Sequence, residues 1–119
     1  MSEMTSAEIL ERAAGLLNHP TAETVGLWPR ATAVLARQAL EVGLHESLSA
    51  KIPGIENAPV RVQLLCLQSY VDDTETAHEV NLAWWALSRA CHHLSYELPP
   101  TAVELEGLLD VVERFVRTT

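Results

Sequence analysis

The segment TETAHEVNLAWWALSRACHHLSYEL, residues 74–98, decides how the rest of the chain is read. At 3.6 residues per turn, Val80, Trp84, Leu87, Cys91, Leu94 and Leu98 fall on one apolar seam, as an amphipathic helix packed on a core requires. Trp85, Arg89, His92, His93 and Tyr96 gather on the other side. That side carries a guanidinium, two imidazoles and a phenol within about two turns, more hydrogen-bonding and titratable chemistry than a merely solvated face needs. The spacing predicts one long helix over residues 74–98, stopped by Pro99-Pro100.

Working outward, each flanking segment also has helical period. Thr5 with Glu8 forms a capping-box signature, and Ile9, Leu10, Ala13, Leu16 and Leu17 recur as a helical stripe until Asn18, His19 and Pro20 end it. Pro29 suits the first turn of a second helix, expected to run to Ala50, with Ala33, Ala36, Leu40, Leu44 and Leu48 as its seam. Its small residues allow a neighbouring helix to come close. Gly43 costs about 1 kcal/mol relative to Ala, tolerable in a segment of that length. Glu41 and His45 have the i, i+4 spacing of a side-chain pair on the polar flank.

Residues 51–59 contain Pro53, Gly54, Asn57 and Pro59, the chemistry of a turn between helices. A third helix is expected from Pro59 to Val71; Val60, Leu64, Leu67 and Val71 line one side, and Leu65 with Cys66 widens it, which places this helix centrally. Asp72 with Glu75 reads as the start of the next helix. Beyond the two prolines, Thr101 with Glu104 caps a fifth helix whose stripe is Leu105, Leu108, Leu109, Val112, Phe115 and Val116. No segment alternates as a strand does. The expected fold class is therefore all-α: a five-helix antiparallel bundle forming one domain over residues 1–119.

Totals set the outer limits. With 119 residues, 48% hydrophobic and 20% charged, the chain supports one core, and its 5 Gly and 6 Pro leave little for linkers. No apolar run reaches the roughly 18 residues that cross a bilayer, and the N-terminal segment is an acidic amphipathic helix, unlike a secretion signal. A cytoplasmic protein without membrane association is expected, with Cys66 and Cys91 as reduced, buried thiols. The formal charge of −8 disfavours general polyanion binding, so any cationic patch must be local.

Several chemistries can be set aside from spacing. Cys91, His92 and His93 point about 100 degrees apart in turn, so they do not close on one ion, and no metal site is expected. No phosphate-binding glycine loop or other cofactor motif is present, and no cofactor is expected. Paired aspartates Asp72 and Asp73 are explained by the helix dipole. What remains is acid and base work on a phosphate ester: Arg89 can hold phosphate bidentately, and a histidine within a turn can move the proton. RNA suits such a pair, because its own 2′-hydroxyl is the nucleophile.

Two stretches carry a resemblance to a known family. Residues 31–48, ATAVLARQALEVGLHESL, resemble the second-helix pattern of HEPN domains, and residues 85–116, WALSRACHHLSYELPPTAVELEGLLDVVERFV, resemble their last two helices. The resemblance implies a compact helical homodimer. It further implies a metal-independent endoribonuclease, often a toxin held by a nucleotidyltransferase antitoxin, with Arg and His motifs from two chains meeting in the dimer cleft. The family motif places four to six residues between Arg and His. Here His92 follows Arg89 after two residues and His93 after three. In the motif variant that ends His, any residue, Tyr, Arg89 and Tyr96 match, while Leu94 occupies the histidine position. Arg89, His92, His93 and Tyr96 are thus the candidate catalytic residues, and Trp85, Arg89 and Tyr96 the candidate interface residues. The competing expectation is a catalytically silent helical module that uses the same face to dimerise or to hold a partner protein.

Overall fold

The computed structural model describes residues 4–19, 28–70, 73–92 and 100–118. Within them lie five α-helices: α1 (Ser6–Asn18), α2 (Trp28–Leu48), α3 (Val60–Tyr70), α4 (Thr74–Cys91) and α5 (Ala102–Thr118). A single 3-10 turn, Ile55–Asn57, precedes α3, and no strand occurs among the described residues. The fold is all-α.

Local chemistry explains where these helices start. The Thr5 hydroxyl accepts from the Glu8 amide at 3.2 Å, and the Thr101 hydroxyl accepts from the Glu104 amide at 3.1 Å. Each occupies one of the free donors at a helix start. At α4 the cap is Asp73: its carboxylate accepts from the amides of Glu75 at 3.0 Å and Thr76 at 3.3 Å, and from the Thr76 hydroxyl at 2.7 Å. These bonds, chiefly those from Thr76, hold its pKa below the ordinary carboxylate value. The sequence had pointed to Asp72, which lies outside the described residues. Gly54 adopts φ 85°, the left-handed conformation that starts the 3-10 turn and that only glycine enters without strain.

Four helices surround the core. Ser6 at the start of α1 meets Glu46 near the end of α2, its hydroxyl donating to the carboxylate at 3.3 Å, so α1 and α2 are antiparallel. Trp84 of α4 donates its indole N–H to Glu41 of α2 at 3.1 Å, and Arg114 of α5 pairs with Glu79 of α4 at 3.4 Å. The groove between the start of α1 and the end of α5, lined by Ala7, Leu10, Glu113 and Val116, closes the ring. Leu40, Leu44, Leu87, Leu105, Val112 and Phe115 are almost fully buried inside it. Each such side chain contributes about 1.5–3 kcal/mol of burial.

Not every neighbouring pair is antiparallel. The ends of α2 and α5 lie side by side in the same direction, across the diagonal of the bundle, and Gly43 makes this contact. A Cβ built on Gly43 would stand 3.3 Å from the Phe115 ring and 3.4 Å from Val116. Here the absence of a side chain lets the helices approach closely, a role the helical period alone does not reveal. Ala33, Ala36 and Ala39, all fully buried, narrow α2 along the rest of its length.

Two further expectations need correction. α3 packs on α2 and α4 at the side of the bundle: Val62 and Leu65 are exposed, Leu65 to 64%, and Cys66 is only half-buried. Leu64, Leu67 and the buried Gln63 satisfy its single packed side. The second correction concerns α4. It ends at Cys91, where the His92 amide is shared between the carbonyls of Ser88 and Arg89, both at 3.2 Å, and His92 leaves helical geometry. Neither Gly nor Pro marks this stop in the sequence. Expectations for His93, Leu94, Tyr96 and Leu98 fall outside the described residues.

Candidate functional site: the exposed face of α4

The inward side of α4 is made by Ala77, Val80, Ala83, Leu87 and Cys91, all buried. Both cysteines are free thiols. Burial pushes the Cys91 thiol above its ordinary pKa, against a smaller opposing pull from Arg37 and Arg30. Arg30 in the first turn of α2 and Arg37 near its middle thus act on the end of α4, in keeping with the antiparallel pairing. Burial outweighs that pull, so Cys91 lacks the lowered pKa of an activated nucleophile.

On the outward side, Trp85, Ala86, Ser88, Arg89 and His92 line one open depression of about 450 Å³. Arg89 and His92 are exposed, Trp85 is 49% exposed, and Leu82, one turn before Trp85, is 54% exposed. Arg89 makes no ion pair among the described residues. The structure therefore brings together three of the sequence-derived site residues, Trp85, Arg89 and His92. His93 and Tyr96 lie outside the described residues.

Two features of the surroundings were not read from the sequence. Glu41 was expected to pair with His45. Instead its carboxylate lies 3.4 Å from Arg37 and accepts the Trp84 indole at 3.1 Å. The reason is tertiary: α4 brings an indole donor to the flank of α2, and the i, i+4 partner on the other side is an arginine, whose fixed guanidinium fork suits a carboxylate. The second is the fixing of Trp85, whose ring meets that of Trp84 edge to face, centroids 4.9 Å apart and planes at 82°. Such a contact favours one orientation of the exposed ring. The clue was the WW pair itself, since two adjacent tryptophans on a helix point in different directions and cannot both enter one core.

Among the described residues no group of three or more His, Cys, Asp or Glu side chains could hold a metal ion, and no helix is long and apolar enough to cross a membrane. The site is therefore an aromatic and cationic surface on an otherwise acidic helical bundle. Compared with known proteins, the chain matches no family model, no curated protein and no solved structure.

Proposed function

We propose that the protein is a cytoplasmic, HEPN-like homodimeric module whose α4 face lines a cleft between subunits and cleaves the phosphodiester backbone of RNA. The observation that carries this reading is the shared depression of Trp85, Arg89 and His92, with Arg89 free of any described ion pair. An unpaired guanidinium beside an imidazole is what a phosphate ester needs: charge neutralisation on the non-bridging oxygens and a proton carrier within reach.

The chemistry requires only what the chain and RNA supply. Arg89 holds the phosphate and offsets the charge that builds as it becomes five-coordinate. His92 accepts the proton of the 2′-hydroxyl as its oxygen bonds to phosphorus. The bond from phosphorus to the 5′-oxygen breaks, and that oxygen takes up a proton as it leaves, giving a 2′,3′-cyclic phosphate and a free 5′-hydroxyl. Trp85 supplies apolar area to the same face, on the side of the cleft away from the phosphate. His93 and Tyr96 remain candidates for the second proton transfer and for phosphate orientation, and a nucleotidyltransferase antitoxin remains the proposed protein partner.

The test is incubation of the purified chain with mixed single-stranded RNA in EDTA, alongside Arg89→Ala and His92→Ala. Wild type should release fragments with cyclic phosphate ends, and each variant should lose at least about 100-fold in rate, the usual worth of one acid, base or charge-stabilising group. Intact RNA with wild type overturns the nuclease. One observation favours a second reading: exposed Leu82 and Trp85 beside the cation resemble an interaction surface as much as an active site. Under that reading the module is a silent adaptor, RNA is left whole, and Trp85→Ala abolishes self-association or partner binding.

A further inference from the structure

Four described residues on the outward side of α4, His78, Leu82, Trp85 and Arg89, and His92 at its C-cap are spaced four, three, four and three apart, and all five are exposed. That is the spacing of a helix seam that meets another helix along its length, here facing away from the protein's own core. Charge is unevenly distributed along the same helix. Glu75 lies exposed in its first turn, whereas Asp73 caps the helix and Glu79 pairs with Arg114 of α5; Arg89 and His92 stand exposed at its end.

We propose that two copies of the chain pair along α4 in antiparallel fashion, with Trp85 on the two-fold axis. The seam is symmetric about position 85: His78 and His92 stand seven residues to either side, and Leu82 and Arg89 three and four. An antiparallel pairing therefore sets His78 against the partner's His92 and Leu82 against the aliphatic stem of the partner's Arg89. Trp85 stacks on its own copy. The acidic start of each helix meets the basic end of the other, with Glu75 one turn from the partner's His92, and the two helix dipoles oppose. A parallel pairing would put acid against acid and Arg89 against its own copy. Occupancy by a second copy thus answers both the exposed Leu82 and Trp85 and the placement of Glu75 and Arg89 at opposite ends of the helix.

This register rests on the reading of the α4 face as the subunit interface. It adds a consequence: the two Arg89 residues stand four residues either side of the two-fold, about 12 Å apart along the helix direction at 1.5 Å per residue. Each subunit therefore holds phosphate separately, at opposite ends of one groove, and the two guanidinium groups do not converge on a single atom.

Sedimentation of the full chain at low and high salt tests the register independently of any RNA cleavage. Wild type should show a concentration-dependent dimer, and Trp85→Glu should be monomeric, because it places two carboxylates on the axis. Should Trp85→Glu lose its helical circular dichroism, Leu82→Glu takes its place with the same expectation. The double variant H78E/H92K creates two opposite-charge pairs in the antiparallel register and should tighten the dimer by roughly threefold or more at low salt, an effect that fades near 1 M salt. In a parallel register the same double variant sets like charges together. A monomeric wild type at all accessible concentrations, a dimer indifferent to the axis substitution, or a double variant that leaves association unchanged or weaker each overturns the proposal. Loss of RNA cleavage in Arg89→Ala with the dimer intact would concern the nuclease reading alone.

Discussion

Trp84 and Trp85 are neighbours in the chain and opposites in the fold. Trp84 lies half-buried against the core and gives its indole N–H to Glu41, holding α4 to α2; Trp85 is 49% exposed and lines the depression with Arg89 and His92. A rotation of 100 degrees along one helix separates a residue that maintains the bundle from one available to a ligand or a second subunit. The lesson is general for α4. Its inward side uses small and apolar residues to sit closely on its neighbours, while its outward side keeps chemistry that packing does not require.

The sharpest way to break this comparison is to cut into both sides of α4. Leu87→Ala removes a fully buried side chain and should lower unfolding free energy by about 2–5 kcal/mol in urea denaturation, whereas Leu82→Ala, measured on the monomer, should cost less than about 0.5 kcal/mol. Equal losses would mean that the outward face is packed after all. Next in size is a contrast between two helical glycines. Gly43→Leu must displace Phe115 and Val116 and should cost roughly 1–3 kcal/mol or more. Gly15→Ala, where nothing lies within 4 Å of the new Cβ, should raise stability by about 0.5–1 kcal/mol. A stabilising Gly43→Leu would refute the close approach of α2 and α5.

Smaller effects refine the picture. Trp84→Phe keeps the ring and loses the donor to Glu41, and should cost about 1 kcal/mol, since the carboxylate keeps Arg37 and partial solvent contact. Trp85→Phe, measured at concentrations where the chain is monomeric, should leave thermal unfolding nearly unchanged, and its effect should show in association. Alkylation kinetics should rank the thiols: half-buried Cys66 reacts in the folded protein, and buried Cys91 reacts at the rate of unfolding. Cys91 also has a pH signature. Because its pKa is raised in the fold, its contribution is present below the ordinary thiol value and is lost as pH rises through the folded one. Asp73 works in the opposite direction. Its lowered pKa gives stability that is present above the ordinary carboxylate value and lost as pH falls through the folded one, so Asp73→Asn should flatten the acid limb of the melting-temperature profile.

Much of the fold could be read directly. The stripe of Leu105, Leu109, Val112 and Phe115 is buried as its period required, and Thr5 and Thr101 cap the helices they precede. These features are local, and a helix carries its own hydrogen bonds, so residues a few positions apart suffice to specify it. The candidate site was legible for the same reason: Trp85, Arg89 and His92 share a face of one helix, and their common depression follows from that face being left uncovered.

What the sequence determined by itself is the set of helices, most of their starts and the two-sided character of α4, because these depend on spacing along the chain. Only the tertiary structure decided the rest. It moved α3 to the side and exposed Leu65, turned Glu41 from His45 to Arg37 and Trp84, and made Gly43 the point where α2 and α5 meet. Each of these depends on which helix lies opposite, a question set by how the whole collection of apolar faces can be buried at once and not by the period of any one of them.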